Sequence, residues 1–416
     1  MSTFLKRLGI ASGIIVGLLI LVMAAGFIYV RNSEWWLAVT LFSDETRAEN
    51  FRTMHEIFPS QGISARGDVW VFDRDEQPLP EQYVFQGEAR SLATFLEESE
   101  TTGLLVARDG VILHESYYQG YDEASLATSF SVAKSVVSAL VGIAIADGYI
   151  ASVRDPISDY VPELGGSGYG GVTIHDVLTM SSGVAFDEDY ESFRSDVMWL
   201  PIRIFGFGES AVDILASLER GREPGTFNEY ISSDALALGI LVSRATGRSV
   251  SAYLEEVLWT PAGMEFPAAW NTDQHGNELT HAFLSVALRD YARIGRLYLN
   301  EGRRNGRTVI PADWVRETVE RPEPHLQPGE NPASSWTFGY GYQWWIPEEP
   351  EGDFVAMGIW GQYIYVHPTY DIVIAKTSTD YDFDLREKET IAVFRSLARE
   401  MGRQAEPTEE AGPGAR

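Results

Sequence analysis

Ser129-Phe130-Ser131-Val132-Ala133-Lys134-Ser135 opens the stretch that decides the fold, and Val136-Val137-Ser138-Ala139-Leu140-Val141-Gly142-Ile143-Ala144-Ile145-Ala146-Asp147-Gly148 completes it. The run is apolar nearly all round, which predicts a helix buried on every side, with Gly148 as its stop. Ser131 and Lys134, three positions apart, then emerge on one face at the helix start. A serine there lies where free N–H groups and the positive end of the helix dipole favour a developing oxyanion. Burial disfavours an ammonium, so Lys134 is a candidate base toward Ser131. The chain holds only four lysines (Lys6, Lys134, Lys376, Lys388) beside 28 arginines. Arginine keeps its charge, so a lysine placed in a Val/Ala/Leu run is suited to losing its proton. The competing reading is a helix-start serine with a snorkelling lysine.

On either side of this helix the pattern changes. Leu104-Leu105-Val106-Ala107 and Val111-Ile112-Leu113, separated by Arg108-Asp109-Gly110, predict a hairpin with an Asp-Gly turn. Residues 150–320 read as mostly helical, with helices around His175–Leu178, Val212–Arg220 and Asp234–Thr246. Strands return at 354–357, 362–367 and 371–375, and Ile391–Met401 reads as a closing helix. Strands at both ends with helices between them imply one antiparallel sheet, closed by the two chain ends and flanked by helices, with a mostly helical insertion. The fold class is α/β in the α+β sense.

The N-terminus carries Lys6-Arg7 and then Leu8–Val30, 23 residues without a charge. A helix of that length spans a ~30 Å hydrocarbon layer. It predicts a single transmembrane anchor with the N-terminus inside and the body on the periplasmic or extracytoplasmic side. The alternative is a cleaved signal peptide ending near Ala24-Ala25-Gly26.

Composition excludes several classes. Asp+Glu total 60 against Lys+Arg 32, a net charge of −28, which disfavours nucleic acid as a partner. There is no cysteine, hence no thiol nucleophile, disulfide or thiolate metal site. The histidines show no ligand spacing, so neither metal nor cofactor is expected. Gly166–Gly171 spells G-x-G-x-x-G but follows no strand, which leaves it a loop. No G-x-S-x-G elbow is present.

Two further motifs accompany Ser131 and Lys134. Pro224-Gly225-Thr226-Phe227-Asn228-Glu229-Tyr230-Ile231-Ser232 leads straight into a helix, and Tyr230 could relay a proton to a leaving group. Gly358-Ile359-Trp360-Gly361-Gln362 opens a C-terminal strand where glycine admits close approach of a substrate. In this order the three elements resemble the serine β-lactamase and penicillin-binding-protein superfamily. The S-x-x-K is Ser131–Lys134, Tyr230-Ile231-Ser232 stands for Y-x-N, and Ile359-Trp360-Gly361 stands for K-T-G. The branch around 6-aminohexanoate-dimer hydrolase is the nearest in character, supported by Val177–Gly183 and Leu288–Gly295.

The resemblance implies a β-lactamase/transpeptidase-like fold in which Ser131 is acylated, Lys134 is the base and Tyr230 the proton shuttle. It implies an oxyanion hole from the N–H groups of Ser131 and Gln362, and substrate contacts at Tyr190, Ser232, Ile359, Trp360 and Gly361. Ser232 in place of an amide, and Ile359 in place of a cation, favour small esters or amides over β-lactams. The Lys376-Thr377-Ser378 run is read as a surface strand end. The alternatives are a D,D-peptidase or β-lactamase, and a catalytically silent binding domain. The divisions read as a stub at 1–7, an anchor at 8–30, a linker and wrap at 31–85, the hydrolase domain at 86–401 and a disordered tail at 402–416. Oligomeric state is not legible.

Overall fold

The computed structural model describes residues 2–31 and 40–402. The tail expected at 402–416 lies almost entirely outside them. Helix α1 (Ser2–Arg31) runs through the stretch read as an anchor, with Ile14, Leu21 and Val22 exposed. Among the described residues, however, no helix is long and apolar enough to cross a membrane. The expected membrane anchor, and the extracytoplasmic placement built on it, are therefore not supported.

The body is built on an eight-stranded sheet. In chain order its strands are β1 (Asp73–Arg74), β2 (Thr101–Arg108), β3 (Val111–Tyr117), β4 (Gly339–Tyr340), β5 (Trp345–Ile346), β6 (Phe354–Gly358), β7 (Gln362–His367) and β8 (Ile372–Ser378). Their spatial order is β4-β5-β6-β7-β8-β2-β3-β1. The two chain ends meet where β8 pairs antiparallel with β2, Ile372 opposite Arg108 and Lys376 opposite Leu104. The expected hairpin forms between β2 and β3, with Arg108 facing Val111 and both turn residues, Asp109 and Gly110, at positive φ. Only the short β1 runs parallel to its neighbour, which makes the sheet mixed.

Helix α3 (Val132–Ala146) is buried from Val132 to Ala144, as its all-round apolar sequence dictates. Helix α5 (Leu288–Leu299) lies on the sheet, where a Cβ at Gly295 would fall 2.6 Å from Val373 and 2.8 Å from Ile364. Between them in sequence, α4 (Ser232–Thr246) ends on Gly247 in the left-handed conformation. The last helix, α6 (Phe383–Met401), begins eight residues before the expected Ile391. Its opening turns hold only Phe383 and an exposed Leu385 among polar residues, so the apolar period becomes visible only after them.

Three expectations need correction. The middle of the chain is helical in most of its regular structure, but it also gives two strands to a sheet that was not expected. A second, four-stranded sheet joins Ser60–Ile63, Ala268–Asn271, Leu284–Ala287 and Leu126–Thr128. These segments are too short for periodicity to reveal. Second, the predicted helix at 212–220 ends at Ala216. Third, Lys376-Thr377-Ser378 is not a surface strand end, because every residue of β8 is buried between two strands. Burial pushes the Lys376 ammonium down to about 7.

The N-terminal wrap is part of the core. Helix α2 (Arg47–Ile57) carries Phe51 against Phe130, ring centroids 4.9 Å apart, and against Trp360 at 5.6 Å. Phe42 stacks on Trp360 at 5.4 Å and 8°.

Candidate active site

Ser131 ends a short approach from the second sheet. The Ser129 N–H donates to the Leu284 carbonyl at 2.7 Å, and the Leu284 N–H donates to Ser129 Oγ at 3.1 Å. Phe130 follows in the left-handed region, φ +42°, a conformation that an aromatic residue adopts only when its surroundings hold it. Phe51 and Phe283 supply that hold, with Phe283 at 6.2 Å. Ser131 is thereby placed at the N-cap of α3, at the positive end of that helix's dipole.

Lys134, one turn on, is 1% exposed. Its Nζ donates to Ser131 Oγ at 2.9 Å, to the His281 carbonyl at 2.7 Å and to Ser232 Oγ at 3.3 Å. Burial lowers its pKa to about 8, against a smaller upward pull from the charge of Glu188. The Tyr230 ring faces the same ammonium, 4.9 Å from Nζ to the centroid. Burial raises the Tyr230 phenol well above its ordinary value and Glu188 adds to this, while the neighbouring Ser131 hydroxyl opposes it. Tyr230 is buttressed by Trp345 at 5.1 Å and Tyr340 at 6.1 Å.

Glu188 was not singled out in the sequence, yet it ties the site together. Its carboxylate accepts from Ser232 Oγ at 2.6 Å, from the Ser232 N–H at 2.7 Å and from the Tyr190 hydroxyl at 2.7 Å. Ser232 therefore receives a hydrogen bond from Lys134 and passes one to Glu188. The signal available was the acidic loop Phe186–Tyr190, which has no periodicity to mark one carboxylate among three. His281 was also missed. Burial, then the Lys134 charge, holds its imidazole well below the ordinary pKa, and its Nδ1 is buried without a hydrogen-bond partner.

The remaining residues lie on the turn between β6 and β7. Gly358 is the one that meets Ser131: a Cβ there would fall 3.1 Å from the Ser131 nitrogen and 2.6 Å from the Ser129 carbonyl. The Gly361 α-carbon is instead turned toward Ser378 and Lys376. The Gln362 side chain donates to the carbonyls of Trp360 and Ser378, at 3.1 and 2.7 Å. Ile359, immediately after Gly358, is half-buried.

A cavity of about 910 Å³ opens elsewhere, lined by Arg47, Leu92, Leu96, Glu100, Tyr118 and Thr379 among others, and it includes none of these residues. The hydrogen-bonded constellation, rather than cavity size, marks the site. Among the described residues, no group of three or more His, Asp or Glu could hold a metal ion.

Known proteins resemble this chain in sequence and in fold. The chain is 29% identical over 344 residues to 6-aminohexanoate-dimer hydrolase of Paenarthrobacter ureafaciens, covering 81% of this chain and 86% of that one. A Bacillus anthracis structure assigned as a 6-aminohexanoate-dimer hydrolase superposes with a TM-score of 0.78 at 22% identity, over 88% of this chain and 97% of that one. The octameric penicillin-binding-protein homologue of Pyrococcus abyssi shares the fold, with a TM-score of 0.58 at 18% identity over 75% and 76% of the two chains. With the beta-lactamase family model matching residues 72–396, the chain belongs to the beta-lactamase family.

Proposed function

We propose that this protein hydrolyses small amides or esters through an acyl-enzyme formed on Ser131. The observation that carries the reading is the buried Ser131–Lys134 hydrogen bond at a helix N-terminus, with the lysine's pKa lowered to about 8. Ser131 Oγ attacks the substrate carbonyl and Lys134 Nζ takes its proton. The new ammonium is met by the His281 carbonyl and, through Ser232, by Glu188. Tyr230 protonates the leaving amine or alkoxide. Water then enters, gives a proton to the Tyr230 phenolate and attacks the ester, and Lys134 returns its proton to Ser131 Oγ as the acid leaves.

The oxyanion is held by the Ser131 N–H and, in place of the expected Gln362, by the Ile359 N–H, because Gly358 is the glycine against Ser131. Tyr190 and Ser232 face the substrate from the Glu188 side. The P. ureafaciens relative's name points to a short amide with an amino terminus. Such a dimer is a zwitterion with no net charge, so the protein's charge of −28 repels it less than an anionic β-lactam. With Gly358 in the place of the K-T-G glycine, Ala356 falls where that motif has lysine, so no cation stands there for a carboxylate.

The test is intact mass after a fluorophosphonate probe, with Ser131→Ala as control, followed by turnover of 6-aminohexanoate dimer, p-nitrophenyl esters and nitrocefin. One adduct on Ser131, absent from the variant, with amide or ester turnover is expected. No adduct on folded protein would move the reading to a silent binding domain. Nitrocefin turnover above that of the amide would move it to a β-lactamase.

A further inference from the structure

We propose that Gln362 and Ser378 are positioning residues for the reaction: they hold the Trp360 carbonyl, and with it the three-residue turn that presents the Ile359 N–H to the oxyanion. The inference rests on the acyl-enzyme reading and deepens it. Gly358 pairs with Gln362, so only Ile359, Trp360 and Gly361 connect β6 to β7. Trp360 has φ +63° and Gly361 φ +79°. Glycine adopts that region freely, whereas tryptophan avoids it unless held there.

The hold is visible atom by atom. The Trp360 carbonyl receives Gln362 Nε2 at 3.1 Å, Ser378 Oγ at 2.9 Å and the Asp380 N–H at 3.2 Å. Three donors converge on an oxygen that has two lone pairs. The amide of Gln362 is used at both ends. Its Nε2 also reaches the Ser378 carbonyl at 2.7 Å, and its Oε1 accepts the Ser378 N–H at 3.4 Å. The Ser378 hydroxyl shares its one hydrogen between Trp360 and the Ser99 carbonyl, the latter at 2.8 Å.

Ser378 reaches the turn because the register of β8 against β2 slips between Thr377 and Ser378. Such an irregularity re-aims a side chain beside a site. The Trp360 ring is fixed independently, with Phe42 stacked on it and the Arg47 guanidinium 4.8 Å from its centroid. Ring and carbonyl are thus pinned from opposite ends of the chain. A turn this short cannot rotate the Trp360–Gly361 peptide without displacing the Ile359 N–H, and a misplaced oxyanion donor acts on the transition state alone.

Gln362→Met keeps side-chain length and removes both donors. The expected result is a 10- to 100-fold fall in kcat on a p-nitrophenyl ester, with KM within about threefold of wild type and the pH midpoint set by Lys134 unmoved. Ser378→Ala gives a smaller fall of the same kind, and Ser378→Thr, which keeps the hydroxyl, recovers most of it. Wild-type kcat in folded Gln362→Met and Ser378→Ala would overturn the proposal. So would a loss confined to KM, or a shifted pH midpoint. If Ser131 of the wild type takes no fluorophosphonate, the acyl-enzyme reading fails first. Normal labelling with unimpaired variants removes only the positioning role.

Discussion

At the scale of single residues, the proposed chemistry depends on Lys134 and what surrounds it. A base must be unprotonated, and burial brings this lysine to about 8. Activity is therefore expected to rise with pH through about 8 and level off above it, as kcat/KM against pH would show. Glu188 pulls that pKa upward. In Glu188→Gln the midpoint should move to lower pH, and kcat should fall as the Ser232 bridge loses its charged acceptor; an unmoved midpoint would remove Glu188 from the proton chain. The same shift has a stability side. Between about 8 and the ordinary lysine value the unfolded chain binds more protons than the folded one, so this lysine makes stability rise with pH across that window. Ser131 and Lys134 were legible in the sequence because a lysine among valines and alanines is conspicuous. Glu188 was not, since one carboxylate in an acidic loop is distinguished only by the side chains folded around it. The choice between Gly358 and Gly361 was likewise hidden: two glycines flank a short turn, and only the tertiary approach of Ser129 and Ser131 shows which one faces Ser131.

At the scale of elements, α5 shows how tightly a helix can be fitted to the sheet. Exchange of glycine for alanine in a helix interior ordinarily stabilises by about 1 kcal/mol. At Gly295 the added methyl would meet Val373 and Ile364 inside contact distance. Overpacking of that kind costs about 1–3 kcal/mol, so the clash should win. Gly295→Ala is expected to lower the denaturation midpoint, and a raised midpoint would mean that helix and sheet separate more easily than their packing implies. The elements read correctly from sequence were those with a strong local signature: the Asp-Gly hairpin, the apolar α3, the β-rich runs of β6 to β8. The second sheet escaped because its strands are three or four residues long and come from three distant stretches of the chain. The start of α6 escaped because its first two turns carry only Phe383 and an exposed Leu385 among polar residues, too few to show a helical period.

At the scale of the whole molecule, the working unit is larger than the segment that carries the family likeness. That likeness spans 72–396, whereas Phe42, Arg47 and Phe51 lie before it and pack on Trp360, Phe51 also on Phe130. A chain shortened to begin at residue 40 is expected to keep wild-type kcat/KM. One beginning at residue 60 should lose at least tenfold and melt earlier, as kinetics and thermal denaturation on the two would show; equal activity would mean that the wrap is dispensable.

The closure of the sheet by both chain ends bears on how the protein comes to be active during its own synthesis. Ser131 leaves the ribosome more than two hundred residues before Gly358, and β2 waits as long for β8. At about 5–20 residues per second that is a delay of roughly 10–45 s. On the acyl-enzyme reading, the serine then has its lysine nearby in sequence but only half of the proposed oxyanion hole. On that same reading the nascent chain is spared a live nucleophile while its own backbone is still exposed, and completion of the polypeptide switches reactivity on.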